Sequence, residues 1–327
     1  MKVKLDKLVP QALRDYQVTI VLFICLFILT AFLAPVFFNL QNILNVARQA
    51  SVTGVVAVGM TFVILTGGID LSVGAILAVV GVCFAMMIKQ SVPIPLAMII
   101  AMLIGMFIGL CNGIGITFFG IQAFIMTLAT MAIGEGVALL LSNGTPVSCM
   151  VDSPILDVIG NGNVAGTPGP LVIFAASAVI SGIVLRYLAF GRFVYGIGGS
   201  LEAARLSGVK TTRILLIVYA ISGLCAAIAG LITTARLFVG HPTAGGFIML
   251  DSIAAVVIGG TSLMGGRGSI AGTVAGVLLL AMVANLLNLL GVSPFHQEIV
   301  KGVIIIVAVL FTAPGLKQRI LQQWADL

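Results

Sequence analysis

Ten apolar runs, most of them near the ~20 residues a helix needs to cross a bilayer, follow one another along the chain. They lie at 18–38, 49–69, 71–88, 94–118, 121–141, 170–188, 214–235, 247–264, 270–290 and 298–313. Peptide groups find no water to bond in hydrocarbon, so runs of this length commit to helices rather than to isolated strands. The expected fold is an all-α polytopic membrane protein of about ten transmembrane helices. Composition agrees: 8% of the 327 residues are charged and 60% are hydrophobic, against about 25% charged in soluble domains. No composition break marks a second domain, so one membrane domain is expected over 1–327, with two longer loops at 142–169 and 189–213.

Charge orients the runs, because Lys and Arg collect on the cytoplasmic side. With the N-terminus inside, only Arg48, Lys89, Arg236 and Lys301 of the 16 Lys and Arg fall outside. The loop 142–169 then faces outward with Asp152 and Asp157 and no basic residue, and the loop 189–213 faces inward with Arg192, Arg205, Lys210 and Arg213. An even number of spans returns the C-terminus, with Lys317 and Arg319, to the cytoplasm. Lys2, Lys4, Lys7 and Arg14 precede the first run as they would in a signal peptide. That run exceeds the ~7–15-residue core of such peptides and no cleavage motif follows, so it is expected to remain as a span. The net charge of +6 includes no basic block suited to nucleic acid.

Several kinds of chemistry find no support. The five cysteines form no CxxC pair, so neither a disulfide framework nor a zinc site is indicated. His241 and His296, in outer loops, lack the further ligands a metal site needs. The chain holds no Gly-x-x-x-x-Gly-Lys-Ser/Thr and no Gly-Lys pair, so it lacks the usual phosphate cradle. No cofactor is expected on this chain, and any ATP used belongs to another subunit. Asn143-Gly144-Thr145 fits a glycosylation acceptor but is given no weight.

Asp70, Glu135 and Asp251 are carboxylates at or near membrane depth, where ionisable groups are costly and mark pathways or buried pairs. Asp70 precedes Leu71-Ser72-Val73-Gly74, and capping of the third helix is the preferred reading. Asp251 falls near the outer start of its helix, where a carboxylate suits the dipole. Glu135, flanked by Gly134 and Gly136, either lines a polar route or meets a buried partner. Glycines at four-residue spacing, Gly105, Gly109, Gly113 and Gly268, Gly272, Gly276, make flat stripes for helix contact; packing within the chain is preferred to a subunit interface. Two Gly-rich breaks, at 67–72 and 259–266, echo each other weakly.

The inner loop carries the most informative segment, Gly198-Gly199-Ser200-Leu201-Glu202-Ala203-Ala204-Arg205-Leu206-Ser207-Gly208-Val209. Glu-Ala-Ala-Arg-Leu favours a short helix and Gly208 can end it. Such a helix, parallel to the membrane between two spans, can act as a rigid lever or be an ordinary solvated loop helix.

With this segment the chain resembles the permease family of ribose-type ABC importers over essentially its whole length. The matching stretches are 57–61 with 64–74, the Glu-Ala-Ala loop 202–208, Pro242-Thr243-Ala244-Gly245, 251–263 and 288–293. The resemblance implies a permease in a bacterial inner membrane that works beside a second copy or a homologous chain. It implies coupling to ATP-binding subunits in the cytoplasm and receipt of a monosaccharide from a periplasmic binding protein. Glu202, Ala203, Ala204, Arg205 and Gly208 would seat in the ATP-binding subunit. Arg48 and Arg236 would meet carboxylates of the binding protein, or anchor at the lipid interface by snorkelling. The departure is Met249, where family members often carry an acidic residue two positions before the aspartate. Lipid is the remaining expected partner, and nucleic acid is not expected. An ion-coupled transporter relaying protons through Glu135 or Asp70 is the alternative. A membrane enzyme lacks a nucleophile–base pair.

Overall fold

The structure, a computed structural model, describes residues 17–312; the basic residues at 2–14 and at 317 and 319 lie outside that range. Thirteen helices are present among the described residues: α1 Gln17–Leu33, α2 Leu40–Leu65, α3 Val73–Lys89, α4 Ile94–Thr117, α5 Ala123–Ser142, α6 Pro154–Gly160, α7 Gly169–Tyr187, α8 Ala189–Gly199, α9 Leu201–Leu206, α10 Thr211–Leu237, α11 Ile248–Ile258, α12 Ile270–Leu289 and α13 Pro294–Thr312. Six of them, α2, α4, α5, α7, α10 and α12, are long and apolar enough to cross a membrane.

Two differences from the expected spans have local causes. α2 begins at Leu40 rather than at 49, because Asn39 caps it by accepting from the Gln41 N–H at 2.9 Å. The polar first turns, with Gln41, Asn42, Asn45 and Arg48, hide that start from hydropathy. The apolar run 247–264 contains only the 11-residue α11. It breaks at Gly259-Gly260, where Gly260 adopts φ 87°, and apolarity does not register a left-handed turn.

α2 forms the axis of the fold, touching α7, α8, α10, α11 and α12. A hydrogen bond of 2.7 Å between the Thr61 and Thr273 hydroxyls joins it to α12. Helices in lipid gain little from hydrophobic association, so small residues that allow close backbones do much of the packing. Gly105 and Gly109 of α4 lie against Tyr219 and Gly223 of α10, and Gly272 and Gly276 of α12 lie against Gly259 and Ala255 beside α11. Both glycine stripes are thus used within the chain.

The loop 142–169 contains regular structure. Its strand β1 Val147–Ser148 pairs antiparallel with β4 Val239–Gly240, and β2 Asn163–Val164 pairs with β3 Thr167–Pro168. Between them α6 rests on the C-terminal end of α10, with Gly160 against Ala235 and Arg236. After β4 the chain does not re-enter as a helix. Gly240 lies against Gly81 and Ala85, and Gly245 against Gly74. Residues 241–247 therefore descend as irregular backbone along most of α3, over about 16 Å of helix.

Candidate functional site

The loop 189–213 holds two helices, α8 and α9, with α9 covering the Glu-Ala-Ala segment. The Ser200 side chain accepts from the Ala203 N–H at 3.2 Å, capping the start. At the other end the Gly208 N–H donates to the Arg205 carbonyl at 3.0 Å and the Val209 N–H to the Ala204 carbonyl at 3.1 Å. This paired closure needs a left-handed residue, and Gly208 supplies it with φ 82°. Glu202, Ala203 and Arg205 face outward while Ala204 is buried, so of the two alanines only Ala203 offers itself to a partner. The larger apolar surface comes from Leu201 and Leu206, 51% and 84% exposed, which sequence reasoning passed over as helix formers. A cleft of about 490 Å³ opens beside α9, lined by Arg205, Lys210, Arg213, Leu216 and Phe118.

α8 seats this short helix on the centre of the fold. Gly198 lies directly against the Leu65 carbonyl at the end of α2 and the Gly266 N–H. That N–H donates to the Leu65 carbonyl at 2.9 Å, and the Tyr195 hydroxyl donates to the Gly268 carbonyl at 2.9 Å. Gly265 in turn lies against Gly67. The two Gly-rich breaks that echoed each other weakly in the sequence meet here, under α8. A side chain at Gly198 would collide with main chain, so the contact is backbone to backbone.

Above this seat lies a buried polar cluster. Asp70 accepts from the Ser72 N–H at 3.0 Å and the Ser72 hydroxyl at 2.6 Å through Oδ1, and from the Ser222 hydroxyl at 2.7 Å through Oδ2. Asn112 donates to the Ser72 hydroxyl at 2.8 Å and accepts from Thr130 at 2.6 Å. Ser72, not Asp70, is the N-cap residue of α3. Asp70 thus binds the cap residue rather than the first helical amides, and the cluster cross-links α3, α4, α5 and α10. Its other members gave no sequence signal beyond being single polar residues within apolar runs.

Asp251 lies in the first turn of α11 and accepts from Lys301 of α13 at 3.0 Å, and Lys301 also donates to Glu298 at 2.9 Å. Lys301 is therefore paired with two carboxylates. Glu135 is exposed on α5 and borders a pocket of about 160 Å³ with Gly74, Ala75, Ala78, Thr243 and Gly246. Arg48 and Arg236 are half-buried, not freely exposed, and close enough to repel each other. Arg48 donates to Asn45 at 3.1 Å and to Asn163 at 3.2 Å, and its Nε lacks a partner. No carboxylate pairs with either arginine among the described residues. His241 and His296 bond to neighbouring hydroxyls, and no group of three or more metal-ligating side chains occurs among the described residues.

Comparison with known proteins gives this geometry a context. The chain is 48% identical over 285 residues to the ribose import permease protein RbsC of Bacillus subtilis, covering 87% of this chain and 88% of that one. It is 42% identical over 296 residues to RbsC of Escherichia coli K12, covering 90% and 92%. It is 40% identical over 297 residues to the L-arabinose transport system permease protein AraH of the same strain, covering 91% and 90%. No solved structure matches. The family described as the branched-chain amino acid transport system / permease component matches residues 42–309, and by that match over most of its length the chain belongs to this family of transport-system permeases.

Proposed function

We propose that this chain is the transmembrane subunit of an ATP-driven importer that carries a monosaccharide of the ribose or arabinose kind from periplasm to cytoplasm. The carrying observation is the near-complete alignment with ribose permeases, which outweighs the amino-acid wording of the family description. It also favours an importer over an ion-coupled transporter. In this reading the protein sits in the inner membrane, crosses it about ten times and keeps both termini in the cytoplasm. A reporter fused after Gly160 is expected outside and one after Gly199 inside; both on one side would overturn that topology.

ATP is bound and hydrolysed by a separate subunit, which receives α9 in a groove. Glu202 favours the positive end of the helix, Ala203, Leu201 and Leu206 supply the contact, and Gly208 turns the chain away. Outside, the neighbouring like charges of Arg48 and Arg236, with no carboxylate partner among the described residues, suit acidic residues on a sugar-binding protein. A second permease, identical or homologous, completes the pathway.

The coupling assignment is tested with Gly208→Val and Glu202→Lys. Both are expected to abolish sugar uptake in vesicles and weaken copurification of the ATP-binding subunit at normal permease abundance. Full uptake with a normal pull-down would overturn it. Arg236→Glu is expected to weaken stimulation of ATP hydrolysis by the binding protein.

A further inference from the structure

The pocket beside Glu135 lies at a depth where its lining is unexpected. α5 has 20 residues, and only 11% of its apolar window is buried within the chain. Glu135 falls twelve residues after Ala123 and seven before Ser142, about 18 Å and about 10 Å from the two ends. An ionisable side chain at such depth faces a bundle interior or a water-filled cavity rather than lipid. Among the described residues Glu135 has neither an ion pair nor a hydrogen bond. Gly134 presses α5 onto α3, since a Cβ there would come within 2.9 Å of the Ala75 Cβ, whereas open space surrounds Gly136. Across the pocket runs the irregular backbone of 242–246, with Thr243 and Gly246 exposed. Non-helical backbone at membrane depth is tolerated where protein buries it or water reaches it. Two independent features, an unpaired carboxylate and a non-helical descent, thus converge on one cavity of about 160 Å³.

We propose that this pocket is where the transported sugar touches the subunit. Glu135 accepts hydrogen bonds from sugar hydroxyls. The Thr243 hydroxyl and the main chain around Gly246 line the facing side of a watered route along α3. A carboxylate that accepts from hydroxyls holds a polyol without a counter-charge, and one such contact keeps the site weak enough to release its cargo. The proposal rests on the sugar-importer reading above.

The experiment uses the complete complex of permease, ATP-binding subunit and binding protein in membrane vesicles, with the wild type as the labelling blank. Glu135→Cys and Thr243→Cys are expected to react with a membrane-impermeant thiol reagent and to be protected by saturating sugar. Ile133→Cys and Ile125→Cys, on exposed apolar positions of the same helix, are expected to stay unreactive. Loss of a hydrogen bond to a charged group costs about 1.5–3 kcal/mol, so Glu135→Ala should lower sugar uptake at least about tenfold. Glu135→Gln, which keeps an acceptor oxygen, should recover part of it. An unreactive Glu135→Cys, or full uptake by Glu135→Ala, overturns the pocket assignment alone. Failure of the wild-type complex to hydrolyse ATP in response to the binding protein overturns the importer reading beneath it.

Discussion

α2 and α5 look alike in the sequence and occupy opposite places in the fold. Their apolar windows have mean hydropathies of 1.5 and 1.9, yet 83% of the α2 window is buried inside the chain and 11% of the α5 window. α2 spends its small and polar residues inward: Gly59 meets Cys225 and Ser222 of α10, and Thr61 meets Thr273. α5 touches only α3 and α4 to any extent, and it leaves Glu135 and Gly136 open. Hydropathy reports that a segment can leave water. Whether it leaves for lipid or for protein is decided by what lies at each turn of the helix.

The comparison breaks most visibly at its glycines. A Cβ at Gly59 would stand 2.8 Å from the Cys225 Cβ, whereas one at Gly136 meets nothing within 4 Å. Gly59→Leu is expected to force α2 and α10 apart, at a cost of at least about 1–3 kcal/mol, and to deplete folded permease in detergent-extracted membranes. Gly136→Leu should leave that abundance unchanged, and equal losses from the two variants would erase the contrast. A smaller effect is expected from Asn112→Leu, which removes the link between Ser72 and Thr130 and leaves α5 only the Thr127 hydroxyl's bond to the Ile69 carbonyl as a polar tie among the described residues. Orphaning buried partners costs about 1–3 kcal/mol, read as a lower thermal midpoint and faster proteolysis at the ends of α5. The smallest belongs to Thr61→Val. Interhelical hydrogen bonds in membranes average about 0.6 kcal/mol, so the midpoint should fall by about 1–2 °C.

What the sequence made legible was whatever depends on composition or on local chain geometry. The apolar runs located the long helices, and Glu202 to Gly208 announced a short helix whose left-handed end only glycine accepts cheaply. Illegible were features made by residues far apart in the chain. Asp70 reads as a cap because its neighbours are helical. Its partner Ser222 is 152 positions away, and no local pattern connects them. Lys301 gave only an outer position in the charge count, and its partner Asp251 is 50 positions earlier. Arg48 and Arg236 read as separate exposed charges, and folding makes them half-buried neighbours. The interruption after α11 was hidden because Gly259 and Gly260 do not lower the hydropathy of the run while they end its helix.

The pairing of Asp251 with Lys301 also bears on how the protein is made. α11 has 11 residues, about 16 Å of helix, too short to cross a hydrocarbon layer of about 30 Å by itself. Emerging from the ribosome, it is a brief apolar segment burdened by a carboxylate, with its counter-ion 50 residues behind it. At about 5–20 residues per second that partner follows some seconds later, and only after α12 has been laid down. Asp251 therefore stays without this partner until α13 has been made, so the packing of α11 on α13 is completed late in synthesis.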